Sequence, residues 1–257
     1  MRANSDPLNE NREMCDKDNQ RLYTDLSWLW PVVSPVADYY SEAQEFIRVL
    51  SKHARTPVRS LLDMGCGGGH NDYYLQDHFS IVGVDTSSQM LALARQLNPK
   101  LEYQIGDMRT LQIGRTFDAV IVADSIGYML SEADLLAAFS TAYRHLNPGG
   151  VFCTYAEETP QFFEQNATYH STHQTEDLEV TLVENYYDPD RSDTTYEISF
   201  VYLIRQAGNL SIEIDHHLAG IFPEETWIAL MKKAGFIVKQ EIYTDEGFPI
   251  FIGIRPE

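Results

Sequence analysis

Four short stretches of this 257-residue chain put polar groups where an apolar run stops. The first is Asp63, Met64, Gly65, Cys66, Gly67, Gly68, Gly69. Glycines let a chain turn tightly and bring backbone amides against a ligand, and a helix start offers free N–H groups. Twenty residues beyond Gly65, Asp85 ends a second run, where an ionised carboxylate can accept from both hydroxyls of a ribose. Asp107 and Met108 close a third run, with a carboxylate for an exocyclic adenine amine and a polarizable side chain to pack on the ring. Ala123 and Asp124 end a fourth. Each stretch alone reads as a turn or a solvated acid; together, in this order and spacing, they describe one ligand. A dinucleotide fingerprint is broken because its third glycine would fall on His70. Asp63 would repel a pyrophosphate and attract an ammonium, so a nucleoside carrying an amino acid is expected.

These residues need a frame that gathers strand ends at one rim. Strands are expected over 58–64, 81–85, 101–105, 117–123 and 151–155, with helices at 70–77, 88–97 and 132–146, the last closed by Asn147, Pro148, Gly149 and Gly150. Strand and helix in alternation mean an α/β fold with a parallel sheet covered on both faces, and ligands at the carboxyl ends of the strands. Residues 1–20 read as a mobile polar tail and 21–56 as a helical cap broken at Pro31 and Pro35. The core runs over 57–155. Long strand-like runs at 178–187, 194–206 and 210–218 form an antiparallel insertion over 156–219. A helix at 223–234 and two last strands, over 220–257, complete a mostly parallel seven-stranded sheet.

Lys and Arg number 19 against 38 Asp and Glu, a formal charge of −19. Such a chain lacks the overall basic surface that a nucleic-acid backbone or an anionic membrane requires. No run approaches the roughly 18 apolar residues of a spanning helix, and the polar start is not a secretory signal. Cys15, Cys66 and Cys153 are widely separated and lack CxxC or His pairing, which argues for a reducing, cytoplasmic setting and against a structural zinc site. His170 and His173 form an HxxH pair without a third ligand, so no metal is expected.

The stretch from Leu61 to Val151 resembles a class I S-adenosylmethionine-dependent methyltransferase, with LLDMGCGGG, VGVD, GDM, FDAVIVADSIGYM and HLNPGGVF in that family's order. The resemblance implies a Rossmann-like, doubly wound fold and S-adenosyl-L-methionine as cofactor, with S-adenosyl-L-homocysteine as product. The cap, the meander and the ending IFPEETW...AGF resemble small-molecule methyltransferases, nearest to amino-sugar N,N-dimethyltransferases, with glycine N-methyltransferase-like enzymes further away. By this resemblance Asp63 sits near the methionine ammonium, and Gly65, Cys66 and Gly67 line the cradle. Asp85 holds the ribose, while Asp107 and Met108 meet adenine. Ala123 and Asp124 border the methionine, with Tyr23 and Tyr39 closing over it.

Methyl transfer is an in-line displacement that rests mainly on alignment, with a base needed only when the acceptor holds its proton. The candidate catalytic residues are Tyr128, where amino-sugar enzymes carry His, and His217, with His216 facing the other way along the strand. Glu157 and Glu158 follow the fifth strand beside the cleft. Between Ala156 and Phe200 there are eleven acidic residues and one basic, Arg191, so this segment carries over half of the chain's net charge. It is either a solvated face or a lid biased toward an amine. The expected partner is a small-molecule acceptor, methylated at an amine nitrogen; the alternatives are a hydroxyl or carboxylate acceptor, or a non-catalytic nucleotide-binding module. An exposed meander edge also allows a homodimer.

Overall fold

The computed structural model describes residues 20–243 and 247–257; the tail expected over 1–20, apart from Gln20, lies outside them, as does Cys15. In chain order the strands are β1 (Ser60–Met64), β2 (Ser80–Asp85), β3 (Glu102–Ile105), β4 (Phe117–Val122) and β5 (Leu146–Tyr155). They continue as β6 (Ala167–Gln174), β7 (Leu178–Tyr187), β8 (Thr195–Gln206), β9 (Asn209–Gly220), β10 (Ile237–Ile242) and β11 (Pro249–Ile254). One sheet has the order β10-β11-β5-β4-β1-β2-β3. Neighbours among β1 to β5 run parallel, and β11 lies antiparallel between β5 and β10. The strand order reverses direction around β1, so the carboxyl ends of β1, β2 and β4 open a crevice.

Apolar residues on alternate sides of these strands build two cores. Leu62, Val84, Val120 and Phe152 pack toward the helices Glu132–His145 and Glu224–Ala234, and Leu61, Ile81, Ile121 and Cys153 toward the helix Tyr40–His53. The helix Ser88–Leu97 starts at Ser87, whose hydroxyl accepts from the Met90 N–H, and Ser131 caps Glu132–His145 in the same way.

Three local expectations change. Pro31 does not break a helix: it stands in the first turn of the short helix Trp30–Val33, where a missing N–H costs nothing. Asn147 to Gly150 do not end the helix in a free turn but form part of β5, whose register against β4 shifts between Phe117 and Ala119. The meander has four strands, in the order β6-β7-β8-β9. β6 escaped notice because its sequence, ATYHSTHQ, carries no buried apolar face. On a strand, residues three apart face opposite ways, so His170 and His173 cannot share the helical face of a metal site.

The inner face of the meander packs against the cap rather than the main sheet. Leu22, Leu26, Leu29 and Val33 bury themselves against Leu178, Val180, Leu182 and Ile204. At about 1.5–3 kcal/mol for each fully buried aliphatic side chain, this contact fixes the cap over the crevice. Among the described residues no helix is long and apolar enough to cross a membrane.

Candidate active site

A cleft of about 340 Å³ lies at the carboxyl ends of β1, β2 and β4, and Tyr23, Tyr39, Asp63, Gly65, Cys66, Gly67, Asp85, Asp107, Met108, Ala123, Asp124 and Tyr128 all line it. His217 does not; it is 2% exposed and sits behind Tyr128. The cap supplies the roof, with Tyr23 and Trp30 rings 5.9 Å apart and Tyr39 5.0 Å from His70. Trp30 and His70 were not legible as site residues, although His70 directly follows the glycine run.

The glycine loop works differently from an anion cradle. The N–H groups of Gly65 and Cys66 both donate to the Val84 carbonyl, at 2.6 and 3.0 Å, and that of Gly67 donates to Asp85 Oδ2 at 2.9 Å. Those amides are therefore spent on the neighbouring strand. What the loop offers is closeness: Gly65 adopts φ +81°, and a Cβ there would lie 2.0 Å from Ser125 Oγ. A Cβ on Gly68 would meet Trp30 Nε1 at 2.7 Å.

Asp63 is 2% exposed and its Oδ1 has no hydrogen-bond partner. Burial first, and the neighbouring Asp72 second, push its carboxyl well above the usual range. A cation against Oδ1 would satisfy the orphaned atom and draw the group back to its charged form. Asp85 is fastened at both oxygens, to the Gly67 N–H and, at 2.8 Å, to the Ser87 N–H; burial raises its pKa. Ser87 in turn donates to the Tyr23 carbonyl at 2.5 Å, tying this carboxylate to the cap. Asp107 is gripped by Arg109 at 2.6 Å, which holds it below the usual range and takes up acceptor sites that an adenine amine would share.

The comparisons with known proteins agree with one another. A model described as a methyltransferase domain matches residues 61–150. The dTDP-3-amino-3,6-dideoxy-alpha-D-glucopyranose N,N-dimethyltransferase of Streptomyces fradiae is 33% identical over 63% of this chain and 70% of its own length. The structure of DesVI from Streptomyces venezuelae superposes with a TM-score of 0.80 at 25% identity, covering 94% of this chain and all of that one. The sugar N-methyltransferase KedS8 from a Streptoalloteichus species gives 0.77 at 28% identity over 91% of this chain and 92% of its own. This chain belongs to the S-adenosylmethionine-dependent methyltransferase family. The orphaned Asp63 Oδ1 and the glycine-rich loop fit that family's cofactor, which brings an ammonium and a ribose.

A second recess, also of about 340 Å³, shares Tyr39 and Asp124 with the methyltransferase cleft. Its polar walls are Asp38, Glu42, Asp124 and Glu157, beside Tyr155, Tyr243 and Phe248. Of the eleven acidic residues in 156–200, Glu157 lines this recess yet is itself exposed, as are Glu164, Glu176, Asp177, Glu179, Asp190 and Asp193. The acidity of the recess comes mainly from the cap and from the end of β4, not from the inserted charge.

The Tyr155 hydroxyl lies 2.7 Å from Glu42 Oε1 and also against Asp124 Oδ1. A hydroxyl donates one proton, so one of these carboxyls must donate in return. Burial, with Asp124 nearby, pushes Glu42 up to about 8. The charge of Asp124 raises Glu157 above its ordinary value, although the residue is exposed. Because the folded pKa of Glu42 lies above its unfolded value of 4.5, its stabilising contribution is complete below that value and is lost as pH rises through about 8. The melting temperature of Glu42→Gln should accordingly exceed that of the wild type more at pH 8.5 than at pH 5. Scanning calorimetry at both pH values checks this, and a constant difference would mean that Glu42 titrates normally.

Proposed function

We propose that this methyltransferase transfers the methyl of S-adenosylmethionine to an amine nitrogen of a small molecule bound in the acidic recess. The observation that carries the reading is the recess itself, which borders the cofactor cleft and, among its described lining residues, has four carboxylates and no Lys, Arg or His. An ammonium in the recess would draw these raised carboxyls to their charged form and gain from that charge and from the faces of Tyr39, Tyr155 and Phe248, whereas a carboxylate acceptor would raise them further.

In this reading Asp63 holds the cofactor's ammonium and Asp85 its ribose, while Met108 and Asp107 border the adenine. When bound, the cofactor supplies an electrophilic methyl on a sulfonium. The protein's own part is to orient the acceptor: Tyr23 and Tyr128, whose hydroxyls are 2.9 Å apart, reach the cleft from the roof and from the end of β4. Tyr39 and Asp124 line both cavities. The cap and the meander together act as the lid. The Streptomyces fradiae relative is named for a dTDP-linked amino sugar, and an amino sugar fits the present recess through its amine. Cys66 and Cys153 are free, in keeping with a cytoplasmic setting. The edge strand β9 exposes Leu210, Ile212 and Ile214, the surface where a second copy would pair. Light scattering on the wild type and on Ile212→Asp tests that dimer.

The function is tested by release of S-adenosylhomocysteine from a panel of free amino sugars, dTDP-linked amino sugars, simple diamines, and their hydroxyl and carboxylate counterparts. Turnover is expected with amines. Turnover confined to hydroxyl or carboxylate acceptors would overturn the reading.

A further inference from the structure

Behind Tyr128 lies a polar pair that no motif marks. Asp215 and His217 are two apart on β9, so they share a face, and both side chains are buried. His217 Nδ1 is 2.7 Å from the Tyr128 hydroxyl, and Nε2 is 2.9 Å from Asp215 Oδ2. Asp215 also accepts the backbone N–H groups of Arg21 and Leu22, at 2.9 and 2.8 Å. Against the cost of burial, the His217 bond and these N–H groups keep Asp215 below the usual carboxylate range.

The hydrogen atoms can be assigned from these partners. An ionised carboxylate only accepts, so His217 Nε2 carries a hydrogen. The neutral ring then offers its lone pair at Nδ1, and the Tyr128 hydroxyl donates to it. The other groups facing the imidazole are Tyr23, whose ring centroid is 5.3 Å away, and Phe200 on β8, at 4.8 Å. Arg21, further out, is neutralised by Asp25 and Glu213. Burial raises the Tyr23 phenol, so it remains a donor to Tyr128.

We propose that Asp215 and His217 form a proton-holding pair that lets Tyr128 relieve the acceptor ammonium of one proton. The nitrogen's N–H bond breaks with its electrons left on nitrogen, and the proton passes to Tyr128 Oη. The tyrosine's own proton moves to His217 Nδ1. The products are a neutral amine with its lone pair restored, an intact tyrosine, and an imidazolium facing the Asp215 carboxylate. After product leaves, the proton returns through Tyr128 to water in the cleft. A neutral phenol alone is a poor proton acceptor from an ammonium; the imidazole hydrogen-bonded behind it offers the lone pair that takes the hydroxyl's own proton. His217 and Asp215 are thus positioning residues, while Tyr128 lines the cleft that the acceptor nitrogen must enter to meet the cofactor's methyl.

This inference rests on amine methylation, so its test has two arms. In the protein without acceptor, nitrogen-15 spectra of the histidine side chains should show His217 with hydrogen on Nε2, and Asp215→Asn should disturb that tautomer. With an amine from the panel, His217→Gln and Tyr128→Phe should each lower kcat on the order of 100-fold. KM should change little. If His217→Gln does not fold, Asp215→Asn and Tyr128→Phe carry the same readout. Hydrogen on Nδ1, or amine turnover with wild-type kcat in these variants, would overturn the relay while leaving the function intact. Turnover only on hydroxyls would remove both.

Discussion

Gly65→Ala is expected to abolish measurable binding of S-adenosylhomocysteine. Gly65 sits at φ +81°, a left-handed conformation that costs a residue with a Cβ of order 1–3 kcal/mol. Conformational strain is the smaller part. The new methyl would lie 2.0 Å from Ser125 Oγ, 2.5 Å from Ser125 Cβ and 3.1 Å from the Met108 methyl, and both residues line the cleft. Ser125 cannot retreat without losing its bond to the Met64 carbonyl, so the walls of the cofactor cleft must move. Calorimetric titration should show an affinity loss beyond about 100-fold, together with a lower melting temperature. Gly114→Ala is the control: Gly114 has φ +77° but nothing within 4 Å of a Cβ, so it should share the backbone strain and keep its affinity. Equal affinities for the two variants would show that the loop does not contact the cofactor.

Asp85→Ala is expected to weaken the same ligand by on the order of 100-fold, about 2.8 kcal/mol. Two effects combine. The proposed ribose contacts are bonds to a charged acceptor, worth about 1.5–3 kcal/mol in such settings. The same carboxylate also accepts the Gly67 and Ser87 N–H groups, so its loss frees the glycine loop and the start of the helix Ser88–Leu97 together. Asp85→Asn keeps acceptor capacity but loses charge, and should fall between. Unchanged affinity for Asp85→Ala would place the ribose elsewhere.

Much of the cleft's lining was legible because its signals are local. Strand ends follow from where apolar runs stop, so Asp63, Asp85, Met108 and Asp124 could be placed on one rim before any contact was known. The amides of Gly65 and Cys66 show the limit of that reasoning. Whether they face a ligand or the Val84 carbonyl depends on β2 lying beside β1, a pairing between segments some twenty residues apart. β6 was missed because alternation reports burial on one face, and neither of its faces is buried in a core.

The acceptor side was legible only in part. Glu157 could be named as lying near the cleft, but Glu42 and Asp38 belong to the cap and reach the recess through the packing of helix Tyr40–His53 against the sheet. The charge count pointed to the insertion, where most carboxylates in fact face water.

By itself the sequence determined an alternating α/β core, the strand-end carboxylates and the glycine turn, because each arises from neighbours within a few residues. Tertiary structure decided what surrounds the proposed acceptor site: the acidic recess beside the cleft, and the line from Tyr23 through Tyr128 and His217 to Asp215. Those groups come from the cap, the end of β4 and the last meander strand. No local spacing encodes a contact between Tyr128 and His217, 89 positions apart; it exists because burial of the cap's apolar face holds the meander over the sheet.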